Sequence, residues 1–206
     1  MQKNINNKAG GYTIIETMVS ISLFLIIVTA GMSALLNASA LQQKSQDMRS
    51  IMDNMSFIMD DMSRNLRTGY NYHCFANGDT IPATPNTTIT IPKSCSNGFA
   101  IAFENAFGND KVDDDQWIYK VQSQNGGATF NIYKSVDGGA SFIQMNPNEV
   151  VLKSFSGFSV LGAEAPTTGD RQEPFVNLKL VGTITYKNII TPFALQSGIS
   201  QRLIDN

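Results

Sequence analysis

Residues 12–37 read YTIIETMVSISLFLIIVTAGMSALLN, and no charged residue lies between Glu16 and Lys44. The strongly apolar run from Met18 to Leu36 is 19 residues, about 28 Å as a helix, which is enough to cross a bilayer core. Residues 1–11 before it are polar, and Lys3 and Lys8 are their only charges. Both lysines stand on the N-terminal side, which puts that end in the cytoplasm and the rest of the chain outside.

Beyond the apolar run the pattern changes without breaking. Met48, Met52, Met55, Met59, Met62 and Leu66 recur at alternating spacings of four and three, and Ile51 and Ile58 widen them into one helical stripe. The stripe reads as a face buried on a sheet. Methionine surfaces also adapt to partners, so a partner-binding groove is the other reading. Asp47, Arg49, Asp53, Asp60, Asp61 and Arg64 fall mainly on the other faces, with Arg49–Asp53 and Asp60–Arg64 four apart. Arg64 and Arg67 stand in the last turn, where cations suit the negative helix end, and Gly69 supplies a stop. No proline occurs from residue 12 to residue 69, so one helix from Tyr12 to about Thr68, roughly 85 Å long, is expected.

After Gly69 the periodicity turns to two. Strands are expected at 87–91, 99–104, 116–122, 129–135, 141–145 and 158–161, with a final pair at 175–187 and 191–203 joined near Asn188. Gly126-Gly127 and Asp137-Gly138-Gly139 mark hairpin turns, and Pro92, Pro147, Pro166 and Pro174 fall near segment ends. The fold class is therefore α+β, a long N-terminal helix packed on a mostly antiparallel sheet domain.

Composition narrows the chemistry. The 206 residues are 42% hydrophobic, which argues against wholesale disorder, and only 16% charged. The balance of 17 acidic and 15 basic residues argues against a nucleic-acid electrostatic footprint. His73 is the single histidine, so paired-histidine zinc sites are excluded, and the cysteine count of 2 excludes a cysteine-rich zinc finger. There is no Gly-x-Ser-x-Gly elbow and no glycine-rich phosphate loop. No catalytic constellation supports an enzyme.

Cys74 and Cys95 flank a proline-rich loop, and outside the cytoplasm they can be joined, the alternative being two free buried thiols. Asp110, Asp113, Asp114 and Asp115 form the densest acidic cluster. Carboxylates at this density can hold calcium, but the spacing is not that of an EF-hand, and hydrated turns also collect aspartates. Trp117 and Tyr119 share a strand face, with core packing as the default role, and His73 reads as a loop or core-edge residue.

Three readings of the N-terminus compete. Ala38-Ser39-Ala40 offers a signal-peptidase site, which would release a β-rich adhesin or ligand-binding domain. A plain single-span anchor explains the hydrophobicity alone. The third rests on Gly11-Tyr12-Thr13-Ile14-Ile15-Glu16 directly ahead of the apolar run. This resembles the prepilin processing motif of type IV pilins, minor pilins and the pseudopilins of type II secretion. Tyr12 stands where phenylalanine is commoner, and Ile14 where leucine is commoner.

The resemblance implies cleavage by prepilin peptidase between Gly11 and Tyr12, and N-methylation of Tyr12. It implies an assembly role for Glu16, whose carboxylate would attract the N-terminal amine of a neighbouring subunit. It also implies other pilin or pseudopilin subunits and an inner-membrane assembly platform as partners, with the bacterial inner membrane and then the filament as location. Thr13-x-x-Glu16 equally fits a capping box, which is the purely structural reading of that glutamate. On this reading residues 1–11 are a leader, 12–40 a transmembrane and filament-core helix, and 41–206 a globular domain. The size of that domain and its Leu195–Arg202 ending look like the larger J-type pseudopilins and W-type minor pilins, which prime or cap the filament.

Overall fold

A computed structural model describes residues 11–82, 91–109, 112, 114–124, 127, 129–154, 156–164, 172–186 and 189–202. The expected strand at 87–91, except Ile91, lies outside the described residues, as do Lys3, Lys8, Asp110, Asp113, Gly126, Pro166 and Asn188. The described chain is α+β, with one helix, α1 (Ile14–Thr68), ahead of a nine-stranded sheet. It divides into two compact units, Met1–Asp47 and Met48–Asn206.

In the first unit the helix carries an apolar window with a mean hydropathy of 2.3, none of it buried. It is long and apolar enough to cross a membrane. From Ile14 to Leu41 its large apolar side chains are exposed almost without exception.

In the second unit the helical stripe is buried. Met55, Met62 and Leu66 are fully covered, Ile51, Ile58 and Met59 nearly so, and Met48 and Met52 pack against them. The stripe is core, because its neighbours are the inward residues of the sheet: Ile101, Phe103, Tyr119, Leu152, Leu178 and Leu180. Tyr119 and Trp117 lie in this core beside Phe103, with the Phe103 and Tyr119 rings stacked 5.7 Å apart. The Asn65 amide donates to the Tyr119 hydroxyl at 3.0 Å, so that buried oxygen is satisfied. The two intrahelical pairs suggested by spacing do not form. The neighbouring Asp61, outside both pairs, accepts from the Lys134 ammonium across to the sheet at 3.2 Å.

Gly69 ends the helix for a different reason from the one expected. Its φ is not positive, so it is no left-handed cap. A Cβ there would stand 2.4 Å from the Phe103 ring and 2.9 Å from the Glu104 carbonyl, so the position needs a residue without a side chain. The Tyr72 hydroxyl donates to the Leu66 and Gly69 carbonyls and so caps the helix end. Asn71, at φ 54°, turns the chain into the sheet.

The strands are β1 (Tyr70–Ala76), β2 (Cys95–Glu104), β3 (Trp117–Gln124), β4 (Thr129–Ser135), β5 (Ile143–Gln144), β6 (Val150–Leu152), β7 (Gly157–Leu161), β8 (Phe175–Tyr186) and β9 (Ile189–Ser200). Every pairing between them is antiparallel. Two routes join β2 to β8, one through β7 and the other through β3, β4 and β6, so the pairings close into a barrel-like ring. β1 flanks β2 and β9 flanks β8. On the far side of β1–β3 a smaller cluster buries Phe75, Ala100, Ala102 and Ile118.

Candidate functional site

The head of α1 gathers the residues that the motif singles out. Gly11, Tyr12 and Thr13 precede the helix, and Tyr12 is 82% exposed, so the Gly11–Tyr12 bond lies in accessible, non-helical chain. Thr13 is the N-cap, its Oγ1 accepting the Glu16 N–H at 3.3 Å. A full capping box would return a bond from the Thr13 N–H to the Glu16 carboxylate. That half is not made. Among the described residues the Glu16 carboxylate has neither a hydrogen-bond donor nor a cation beside it.

The hydroxyls that follow behave differently. Thr17 donates to the Ile14 carbonyl at 2.8 Å, Ser20 to Glu16 at 2.7 Å, Ser22 to Met18 at 2.8 Å, Thr29 to Leu25 at 2.8 Å and Ser33 to Thr29 at 3.0 Å. Each satisfies itself on the preceding turn and needs no water, as hydrocarbon surroundings require. Glu16 is thus an ionisable group at the head of this segment that no described residue pairs. Ala38, Ser39 and Ala40, the alternative processing site, lie inside α1.

The second unit holds the remaining expected residues. Cys74 and Cys95 are joined as a disulfide between β1 and β2, with Cα atoms 5.7 Å apart. Gly98 makes room for it, because a Cβ there would fall 2.4 Å from the Cys74 sulfur and 2.8 Å from that of Cys95. The chain just before Cys95 folds onto the outer edge of β1. The Lys93 N–H donates to the Tyr72 carbonyl at 3.0 Å and the Cys74 N–H to the Lys93 carbonyl at 2.9 Å. Lys93 also bonds Asp79 at 2.7 Å, which with the Ala76 N–H holds that carboxyl below its usual range. The Glu164 carboxylate takes both the N–H and the hydroxyl of Ser94.

Of the acidic cluster, Asp114 and Asp115 are described. Asp114 is exposed, and Asp115 accepts the Asn109 N–H at 2.9 Å, closing its own loop. No group of three or more potential ligands gathers among the described residues. His73 lies half-buried in β1, its Nδ1 2.7 Å from the Ile91 carbonyl, at the edge of the small cluster as its isolation suggested.

One feature escaped the sequence reading. Arg202, just past β9, donates its backbone N–H to the Arg67 carbonyl at 2.8 Å. That contact brings Arg202 into one cleft of about 360 Å³ with Arg64, Arg67 and Asp60. None of the three guanidinium groups lies within 4 Å of a carboxylate among the described residues. Arg202 stands 135 positions from Arg67, a separation that no local signal bridges.

No protein-family model, curated protein or solved structure matches the chain.

Proposed function

We propose that this chain is a structural subunit of a type IV pilin-like filament, a minor pilin or pseudopilin, anchored and assembled through its N-terminal helix. The observation that carries the reading is the Glu16 carboxylate, without a partner among the described residues, at the head of an apolar run in which the Thr17, Ser20, Ser22, Thr29 and Ser33 hydroxyls bond the preceding turn. A carboxylate at the edge of a bilayer core costs on the order of a few kcal/mol unless paired. Cleavage after Gly11 creates a cation, the Tyr12 amine, next to the same helix turn. A neighbouring subunit brings its own Glu16 to that amine, and in a low-dielectric setting the pair offsets much of the desolvation of both. Proteolysis by prepilin peptidase on the cytoplasmic face is thereby the event that licenses assembly. Lys3 and Lys8 hold the leader on that face until then. N-methylation of Tyr12 keeps the positive charge.

In this reading the Met48–Asn206 unit stands outside the cytoplasm, and its disulfide suits that compartment. Its size favours a minor subunit that primes or caps the filament. N-terminal sequencing of the mature protein separates the alternatives. A start at Tyr12 is expected. A start at Leu41 would mean a domain released by signal peptidase, and a start at Met1 an uncleaved anchor.

A further inference from the structure

Strand β9 pairs with β8 alone, so its other edge faces no described strand. Its register against β8 is unbroken from Phe175↔Ser200 to Tyr186↔Ile189, and the Gln201 N–H continues the ladder to the Pro174 carbonyl at 3.1 Å. Odd-numbered residues of β9 therefore turn their N–H and C=O toward β8, and even-numbered ones turn theirs away. The Arg202 N–H, which goes to Arg67 and not to β8, agrees with that alternation. Among the described residues, the outward amides of Ala194, Gln196, Gly198 and Ser200 have no acceptor.

Natural edges of this length are blunted by charge, bulges or proline. From residue 189 to residue 201 β9 carries no charged side chain, and Pro192 is its only block. The opposite edge, on β1, is closed by Lys93. A groove of about 390 Å³ runs beside the free end of β9, lined by Ser63 and Arg67 from α1 and by residues 197–200. It shares Ser63 and Arg67 with the cleft of Arg64, Arg67 and Arg202, where Asp60 is the single acidic lining residue against the three arginines.

We propose that this edge is a docking site for an extended acidic segment of a partner protein. The segment adds to β9 as an antiparallel strand and places carboxylates at its amino end against the three arginines. The two halves of the site are complementary in kind. The uncharged edge supplies main-chain hydrogen bonds without sequence demand, and guanidinium groups with no carboxylate within 4 Å among the described residues supply selectivity for carboxylates and fix the register. The proposal concerns the second unit alone and stands or falls separately from the filament reading.

The test uses the full chain in detergent micelles. The probe is a synthetic peptide of alternating threonine and valine with two aspartates at its amino end. Hydrogen exchange followed by NMR should slow at Ala194, Gln196, Gly198 and Ser200 and stay unchanged at the intervening amides. Exchanging the aspartates for lysines, or combining Arg64→Glu with Arg67→Glu, should weaken binding at least about tenfold. Ala194→Pro, which removes one outward donor and leaves the β8 ladder intact, should weaken it too. Equal binding of the lysine peptide would overturn the charge argument. Protection that is absent, or that fails to alternate, would overturn strand addition. Protection of the same amides that rises with protein concentration alone would assign the edge to a second copy and overturn the acidic-segment proposal.

Discussion

Reducing the Cys74–Cys95 bond should destabilise the second unit by an amount that the chain separation sets. The cysteines are 21 positions apart. Releasing a loop of that length returns about 11 cal/mol/K to the unfolded chain, or about 3 kcal/mol at 25 °C. For a unit of this size each kcal/mol moves the midpoint by about 2–4 °C, so reduction should lower Tm by roughly 6–12 °C. Reduction alone keeps both sulfurs, so it isolates the cross-link. Cys74→Ala with Cys95→Ala also empties space around a fully buried sulfur and should cost more. The assay is thermal unfolding of the full chain in detergent, with and without reductant, followed by near-ultraviolet circular dichroism. A reduced protein that melts within about 1 °C of the oxidised one would refute the loop-entropy reasoning.

Met62→Ala should cost about 2–5 kcal/mol in urea unfolding, because the side chain is fully buried. Phe57→Ala, on the same helix but 74% exposed, should change stability by no more than about 0.5 kcal/mol. The Ser135 hydroxyl, with the hydroxyl and N–H of Ser141, holds the Asp137 carboxyl down from 3.8 to about 2. Its depressed value means that this turn stabilises the fold fully above about pH 4 and loses that contribution as pH falls through about 2. Asp137→Asn should therefore flatten the acid limb of a stability–pH curve over that window.

The helix was legible because two independent periodicities met in it, an unbroken apolar run and a methionine stripe at helical spacing, with no proline between. The closing hairpin was equally plain, since β8 buries Val176, Leu178, Leu180 and Ile184 in strict alternation. β1 was not expected, and its burial pattern explains why. Tyr72 and Cys74 face the main core while Phe75 faces the small cluster, so both faces are buried and hydropathy does not alternate, and the register holds only over His73–Phe75 between two shifts. β6, at three residues, is too short to carry a period. Closure of the ring depends on Cys95 and Gly98 meeting Val160 and Phe158, a long-range register with no local trace. At the candidate site, motif and cap were both readable in residues 11–16. Only the structure separates the cap, made by the Thr13 hydroxyl, from the carboxylate, which has no partner among the described residues.

That separation makes Glu16→Gln the most direct test of filament assembly. The cap uses the Thr13 oxygen and the residue 16 N–H, which glutamine retains, so the helix should form unchanged. The measurement is the amount of each variant that co-purifies with sheared filaments, set against its level in the inner membrane. Pairing with a neighbour's Tyr12 amine predicts a Glu16→Gln protein that is processed and held in the membrane at normal levels but is depleted from filaments nearly as far as Glu16→Ala. Normal incorporation of Glu16→Gln would contradict charge pairing as the basis of assembly.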